Sequence, residues 1–437
     1  MGERDQATIF LSASYDDMQG PTARCFTVPK RRSSLPLRFR LLNMVGKSLR
    51  AMSVPVAQFD EETVRTVAVK ETGLTDFGDP HFREGLLRLL ESAETDADLH
   101  FIGRLTVREV IANALASRLL LMEARKRTPE IFERPLIPPI IVLGLPRSGT
   151  TFLHRMLAAD PAHRAIPLWE LLRPLPNGGS SVGATPDRRH QIAEQRLGLR
   201  LRLAPDLDRK HYVRAHTPEE CMWLLATTFV SPVFWAVAPV YGYLDWYKGQ
   251  DRLKAYKEYR WLLQVLQAIH PRCRLALKAP AHTGALSALL KTIPDALLVQ
   301  THRHPVEACN SLNSLFYSVH AMVTKRVDAH RMAEANVSLQ EHEIALNLAA
   351  RDAHPGAVLD VHYDRLIADP VGTVRSIYDH FGLVWSDTFE ERLGSYVRQN
   401  PKGRHGPHRY ASGDFGLTDG AIAERFAAYS ERFGLTD

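Results

Sequence analysis

The sequence predicts an α/β fold: a parallel sheet flanked by helices, with a helical layer ahead of it. Three observations lead there. Ile140–Leu143 is an apolar, mostly β-branched run that breaks at Gly144-Leu145-Pro146, crosses Gly149 and resumes as an apolar helix. That order reads as buried strand, phosphate-cradling loop and helix N-terminus. Further short apolar runs at 274–277, 296–301 and 357–362 are separated by helical patterns, and strands alternating with helices give a parallel sheet covered on both faces. Finally, most of the polar motifs sit just after one of these runs, at the carboxyl ends of the strands, where such sheets bind ligands.

The first loop makes the sheet P-loop-like. Gly144 and Gly149 have Gly-x-x-x-x-Gly spacing, with Thr150 and Thr151 behind them. This is nearly a Walker A loop, but Thr150 stands where the Walker lysine would be, and the cation lies inside the loop at Arg147. Glycine and small residues let backbone N–H groups converge on an anion, and the helix dipole adds to the attraction.

The chain has 437 residues, 45% hydrophobic and 24% charged, with a net charge of +6. These are ordinary globular values, and a single α/β domain of this length buries a large core. The mild positive charge favours anionic ligands. It is too weak to imply nucleic acid, and no zinc-finger or RNA-binding signature is present, so no nucleic-acid partner is expected. Cys25, Cys221, Cys273 and Cys309 form no C-x-x-C pair, which fits a reducing, cytoplasmic setting. The N-terminus lacks the apolar stretch of a secretory signal. Met222–Leu244 is uncharged throughout, but Pro232, Pro239 and Gly242 interrupt it. It is read as a buried helix and pocket wall rather than a membrane span.

Three regions are expected. Residues 1–55 read as a poorly ordered basic segment. From Met18 to Phe59 there is no Asp or Glu, while Arg24, Lys30, Arg31, Arg32, Arg38, Arg40, Lys47 and Arg50 are basic; a disordered tail and a segment touching anionic lipid both fit. Residues 56–134 read as a helical layer, with apolar faces at Phe82, Leu86 and Leu90 and at Val107, Ile111 and Leu115. Residues 135–437 hold the α/β domain. Within it, 187–216 carries eight Arg or Lys against four Asp or Glu and reads as a partly helical excursion, either a lid or a solvated face.

The chemistry is narrowed by what is missing. A kinase or NTPase needs the Walker lysine and a Mg²⁺-binding carboxylate at a strand end. Here the strand 296–301 runs into His302-Arg303-His304, and another strand into Lys278-Ala-Pro-Ala-His282. No cluster has metal-ligand spacing, so no metal is expected. Arg, Lys, His and Ser around a phosphate loop suit a sulfuryl group, which carries less charge than a phosphoryl group.

At these residues the chain resembles the sulfotransferases that use 3′-phosphoadenosine 5′-phosphosulfate (PAPS), in a bacterial branch of that family. Leu145–Phe152 resembles their 5′-phosphosulfate loop, and Arg303 with Ser311 their 3′-phosphate-binding pair; Lys278–His282, Tyr363, Phe381-Gly382 and 408–416 also fit. The resemblance covers roughly residues 60 to 420. It implies a donor site formed by Arg147, Ser148, Gly149, Thr150 and Thr151 at the 5′ end and by Arg303 and Ser311 at the 3′ end. Lys402, Gly403 and Arg404 resemble the basic loop that closes on the 3′-phosphate, Tyr363 is expected against the adenine, and Lys278 against the sulfonate. Two residues compete as general base: His282, which follows Lys278 as in cytosolic members, and Glu170, placed as in protein-tyrosine members. His282 is preferred because imidazole titrates near neutrality unaided, whereas burial must raise a carboxyl.

The implied reaction is sulfuryl transfer from PAPS to a hydroxyl or amine by in-line attack. A Mg-dependent kinase and a non-catalytic nucleotide-binding module are the alternatives. Trp169, Phe229, Phe234, Trp235, Tyr241, Tyr243 and Trp246 are candidate walls for a lipid-like or other small hydrophobic acceptor, with ordinary core packing as the competing reading.

Overall fold

A computed structural model describes residues 36–52, 54, 56–176, 187–204, 207–400 and 411–435. Five parallel strands form one sheet: β1 (Ile140–Gly144), β2 (His163–Ala165), β3 (Arg274–Lys278), β4 (Leu297–His302) and β5 (Val358–His362), in the order β2-β3-β1-β4-β5. β1 is central. It pairs Ile140 with Ala276 on one side and with Leu297 on the other. Its residues alternate between two apolar layers: Ile141 and Leu143 face one, Ile140 and Val142 the other. Burial on both faces explains the unbroken apolar run. Strand order reverses between β1 and β4, and the loop after β1 sits at that switch point.

Sequence reading missed β2. It is a three-residue edge strand, His-Arg-Ala, half-buried throughout, so it has neither the length nor the apolar run of the others.

The N-terminal layer holds α1 (Leu37–Ala51), α2 (Glu61–Thr72), α3 (Phe82–Thr95) and α4 (Phe101–Arg127). Thus the segment expected as a disordered tail contains a 15-residue helix. Asp60 caps α2 by accepting from Thr63 N at 2.8 Å, and Gly73 ends it in the left-handed conformation. α4 is 27 residues long, and His100 caps its start. In its middle Arg118 is fully buried, donating to Glu258 at 2.6 and 3.1 Å and to the carbonyls of Phe77, Asp79 and Thr227.

α5 (Pro129–Glu133) leads into β1, and α6 (Thr150–Leu157), α7 (Leu168–Leu172) and α8 (Arg188–Leu203) follow it. The uncharged 222–244 stretch breaks into short helices at Met222–Leu225, Val233–Val237 and Tyr241–Lys248, as its prolines require. Among the described residues no helix is long and apolar enough to cross a membrane.

Candidate active site

β1 delivers the chain to the loop 145–149 and so to the start of α6. Three residues there have positive φ: Gly144 at 129°, Arg147 at 70° and Gly149 at 89°. Arg147 is the non-glycine among them, and the left-handed region costs such a residue about 1–2 kcal/mol. Its neighbours impose the conformation. Arg303 Nη1 donates to the Arg147 carbonyl at 3.0 Å, and Arg147 Nε donates to Ser311 Oγ at 3.0 Å. Ser148 Oγ lies 2.6 Å from both the Leu145 carbonyl and Thr301 Oγ1, and Gly144 N donates to Thr283 Oγ1 at 3.0 Å. Strain held in place by surrounding bonds is characteristic of ligand-binding loops.

Tyr363 closes the loop from above. A Cβ on Gly149 would lie 3.0 Å from its ring, and the Arg303 guanidinium sits 4.4 Å from the ring centroid. Glu307 pairs with the other side of Arg303 at 2.7 Å.

A cavity of about 920 Å³ opens from this loop. Pro146, Arg147, Gly149, Thr150, Thr151, Arg303 and Tyr363 all line it. Most of its remaining wall is apolar. Val110 comes from α4, Leu172 from α7, Leu197 and Leu203 from α8, and Leu315 and Val319 from the helix Pro305–His320. Of the aromatic wall read from sequence, Trp235 lines the cavity. Phe229, Phe234 and Tyr243 instead pack into the helical core behind it; Phe229 stacks on Phe234, and Tyr243 meets Phe234 edge-on.

Two acid–base pairs face the same cavity. His211 Nε2 lies 3.0 Å from Glu219 Oε1, and Lys278 Nζ donates to Glu220 Oε1 at 2.8 Å; His211, Glu219 and Glu220 are wall residues. Burial alone would raise the Glu219 carboxyl, but the His211 imidazole and the Lys278 ammonium hold it well below the usual carboxylate range. Its second oxygen, Oε2, is buried with no hydrogen-bond partner among the described residues. The segment reaches this position because Cys221 N donates to the Lys278 carbonyl at 3.0 Å, which lays 219–221 across the end of β3.

Neither base expected from sequence lines the cavity. His282 is fully buried, with Nδ1 2.7 Å from Tyr256 OH and Nε2 3.1 Å from Cys221 Sγ, and burial pushes its imidazole down to about 3. Glu170 is buried in an ion pair at 2.5 Å with Arg164, rather than with Arg173, which pairs with Glu71. Lys278 is also fully buried and meets the cavity through Glu220. His302, next to Arg303 in the chain, is bonded instead to Asp360 at 2.8 Å and Tyr429 at 2.9 Å. Lys402, Gly403 and Arg404 lie outside the described residues. One trio, His190, Glu194 and His216, brings three possible ligand atoms within 4.8 Å of one another; it is solvent-facing, away from the cavity wall.

A sequence model of the sulfotransferase family matches residues 138–387. The chain belongs to the sulfotransferase family. Among solved structures, this sulfotransferase-family protein is similar to the sulfotransferase STF1 from Mycobacterium tuberculosis H37Rv, with 33% identity and a TM-score of 0.72 over 84% of this chain and 98% of that one. It is also similar to the sulfotransferase STF9 from Mycobacterium avium, at 27% identity and a TM-score of 0.76 over 87% and 98%. A curated relative, the omega-hydroxy-beta-dihydromenaquinone-9 sulfotransferase Stf3 of Mycobacterium tuberculosis, is 26% identical over 274 residues, 60% of this chain and 66% of the relative. The match thus spans just under two thirds of that relative's length.

Sequence reading missed His211, Glu219 and Glu220 in this family member. They lie in the 187–216 excursion and just beyond it, and only the fold brings them to β3. The one available signal was the paired acid at Glu219-Glu220, immediately before an uncharged stretch.

Proposed function

We propose that this enzyme of the sulfotransferase family moves a sulfuryl group from PAPS to the hydroxyl of an apolar, lipid-like acceptor. One observation carries the reading: the strained loop, with Arg147, Arg303 and Tyr363, and an apolar chamber of about 920 Å³ are walls of the same cavity. The loop residues fit the donor. Backbone N–H groups of 147–151 at the start of α6 suit a 5′-phosphosulfate, and Arg303 with Ser311 a 3′-phosphate; Lys402, Gly403 and Arg404 are proposed to close over that phosphate. Tyr363 offers its ring to the adenine.

The donor supplies the sulfuryl group. The acceptor oxygen forms a bond to sulfur as the bond from sulfur to the bridging oxygen breaks, and the electron pair stays on the 5′-phosphate. Arg147 neutralises charge at that oxygen. The acceptor's proton goes to His211, with Glu219 behind it to orient the ring and stabilise the imidazolium, the arrangement of a base held by a third group. His282 and Glu170, the bases expected from sequence, are the alternatives. Lys278 reaches the site through Glu220 and sets the charge beside the reacting groups.

The test has two parts. 3′,5′-Adenosine bisphosphate should stabilise the protein thermally more than ADP with Mg²⁺, by about 2.7 kcal/mol at about a hundred times its Kd. Isoprenoid or long-chain alcohols should then accept labelled sulfate. A shift with Mg·ADP and none with the bisphosphate would instead support a kinase. His211→Gln should lower kcat by about 10²–10⁴-fold with unchanged bisphosphate affinity; full activity in His211→Gln, with loss in His282→Ala or Glu170→Ala, would return the base to one of those residues.

A further inference from the structure

We propose that α1 is a membrane-docking helix that seats the protein on an anionic bilayer beside the mouth of the chamber. One face of α1 is fixed to the protein. Phe39 packs with Ile102 and Leu203, Asn43 Oδ1 accepts from Ile102 N at 3.0 Å, and Gly46 lies against Phe101 so closely that any side chain there would clash. The opposite face is apolar and bare. Leu37, Leu41, Met44 and Val45 fall at i, i+4, i+7 and i+8, the spacing of one helical stripe, and are 69%, 48%, 58% and 55% exposed.

Charge selects the occupant. At about 100° per residue, Arg38 flanks one edge of the stripe, and Arg40 and Lys47 flank the other. α1 contains no acid, and none occurs between Met18 and Phe59. An apolar stripe between two basic edges is the pattern of a helix lying in the interface of an anionic membrane. A protein partner would need a complementary acidic rim around an apolar groove; a bilayer offers both without specific shape.

Position links docking to function. Leu203 touches Phe39 of α1 and also lines the chamber. Leu199, one turn earlier on α8, lines the chamber and is 40% exposed, which puts an apolar lip next to the docking face. An acceptor buried in the bilayer would then reach the loop without crossing water. This delivery step rests on the proposed function; the docking itself rests on α1.

Co-sedimentation of the full chain with vesicles separates the two. Vesicles of phosphatidylcholine with phosphatidylglycerol should bind it about a hundredfold more tightly than phosphatidylcholine alone, and added salt should weaken that binding. The Leu41→Glu/Met44→Glu variant changes only exposed positions. It should lose at least about tenfold in vesicle affinity while keeping the thermal shift with 3′,5′-adenosine bisphosphate, which reports an intact fold and donor site. Equal sedimentation of wild type and variant would overturn the proposal. So would a wild-type dimer in solution that the variant converts to monomer, since the stripe would then be covered by a second copy. A protein that docks but never accepts the bisphosphate would sink the functional reading and leave the docking standing.

Discussion

Arg303 donates to the main-chain carbonyl of Arg147 at 3.0 Å, while the Arg147 side chain reaches past it to Ser311. The two ends of the expected donor site, 156 residues apart in the chain, are therefore already bonded to each other. The residue that joins them has a φ of 70°.

Arg147 therefore carries a conformational cost and a binding role that substitutions can separate. Arg147→Gly removes the strain and Arg147→Ala keeps it, so the glycine variant should be more stable by about 1 kcal/mol. Both should bind 3′,5′-adenosine bisphosphate at least about tenfold more weakly, since a hydrogen bond to a charged group contributes about 1.5–3 kcal/mol. Chemical denaturation and calorimetric titration would measure the two effects.

Gly149 is constrained twice, by its φ of 89° and by the Tyr363 ring 3.0 Å from where a Cβ would sit. Gly149→Ala should cost about 1–2 kcal/mol of stability and weaken bisphosphate binding by displacing the ring. Adding Tyr363→Ala should recover part of the stability and none of the affinity, as read by thermal melting with and without ligand.

Among the described residues, three fully buried histidines are pushed down furthest. Burial pushes His282 down to about 3 and His154 and His320 to about 4, from an ordinary 6.5. The unfolded chain takes up their protons once the pH falls below 6.5, and the folded protein does not until much lower. Stability should therefore be full above that value and decline as the pH falls toward 4, by up to about 1.4 kcal/mol per pH unit for each ring. Urea midpoints from about pH 7.5 to about pH 5 would show the decline, and His282→Asn should remove about a third of the slope from these three.

Leu315 lies on the chamber wall and is half-buried. Leu315→Trp should fill part of the chamber, so that long apolar acceptors lose at least about tenfold in kcat/KM, the scale of one or more displaced methylenes. Bisphosphate affinity should not change. Equal losses for short and long acceptors would place the acceptor elsewhere.

Four of the five strands and the phosphate loop were legible because local pattern determines them: short apolar runs between helical patterns, then glycines where the backbone turns after β1. β2 was not, since three half-buried residues at a sheet edge leave no run to read. The resemblance singled out Arg303 and Ser311, but their shared link to Arg147 could not be read, because it spans 156 and 164 residues of chain. The surroundings of His282 could not, because Tyr256 and Tyr259 come from another helix and Cys221 from a third segment. The same limit hid His211 and Glu219, whose proposed role depends on a hydrogen bond between residue 221 and the end of β3. The chamber escaped for a different reason. Its wall is ordinary Val and Leu on helices that look amphipathic in sequence whether they face a core or a cavity.

The ion pair between Arg118 and Glu258 bears on where this protein can be cut. The match to the family model begins at residue 138, and a chain trimmed to that limit would keep Glu258 but discard its partner. The carboxylate would be left in an apolar gap once filled by α4, a loss of about 3–5 kcal/mol. The helical layer is thus half of an electroneutral unit and not an accessory to the sheet. Truncations, chimaeras and domain swaps should take their left boundary ahead of α2, whatever the extent of the recognisable motif.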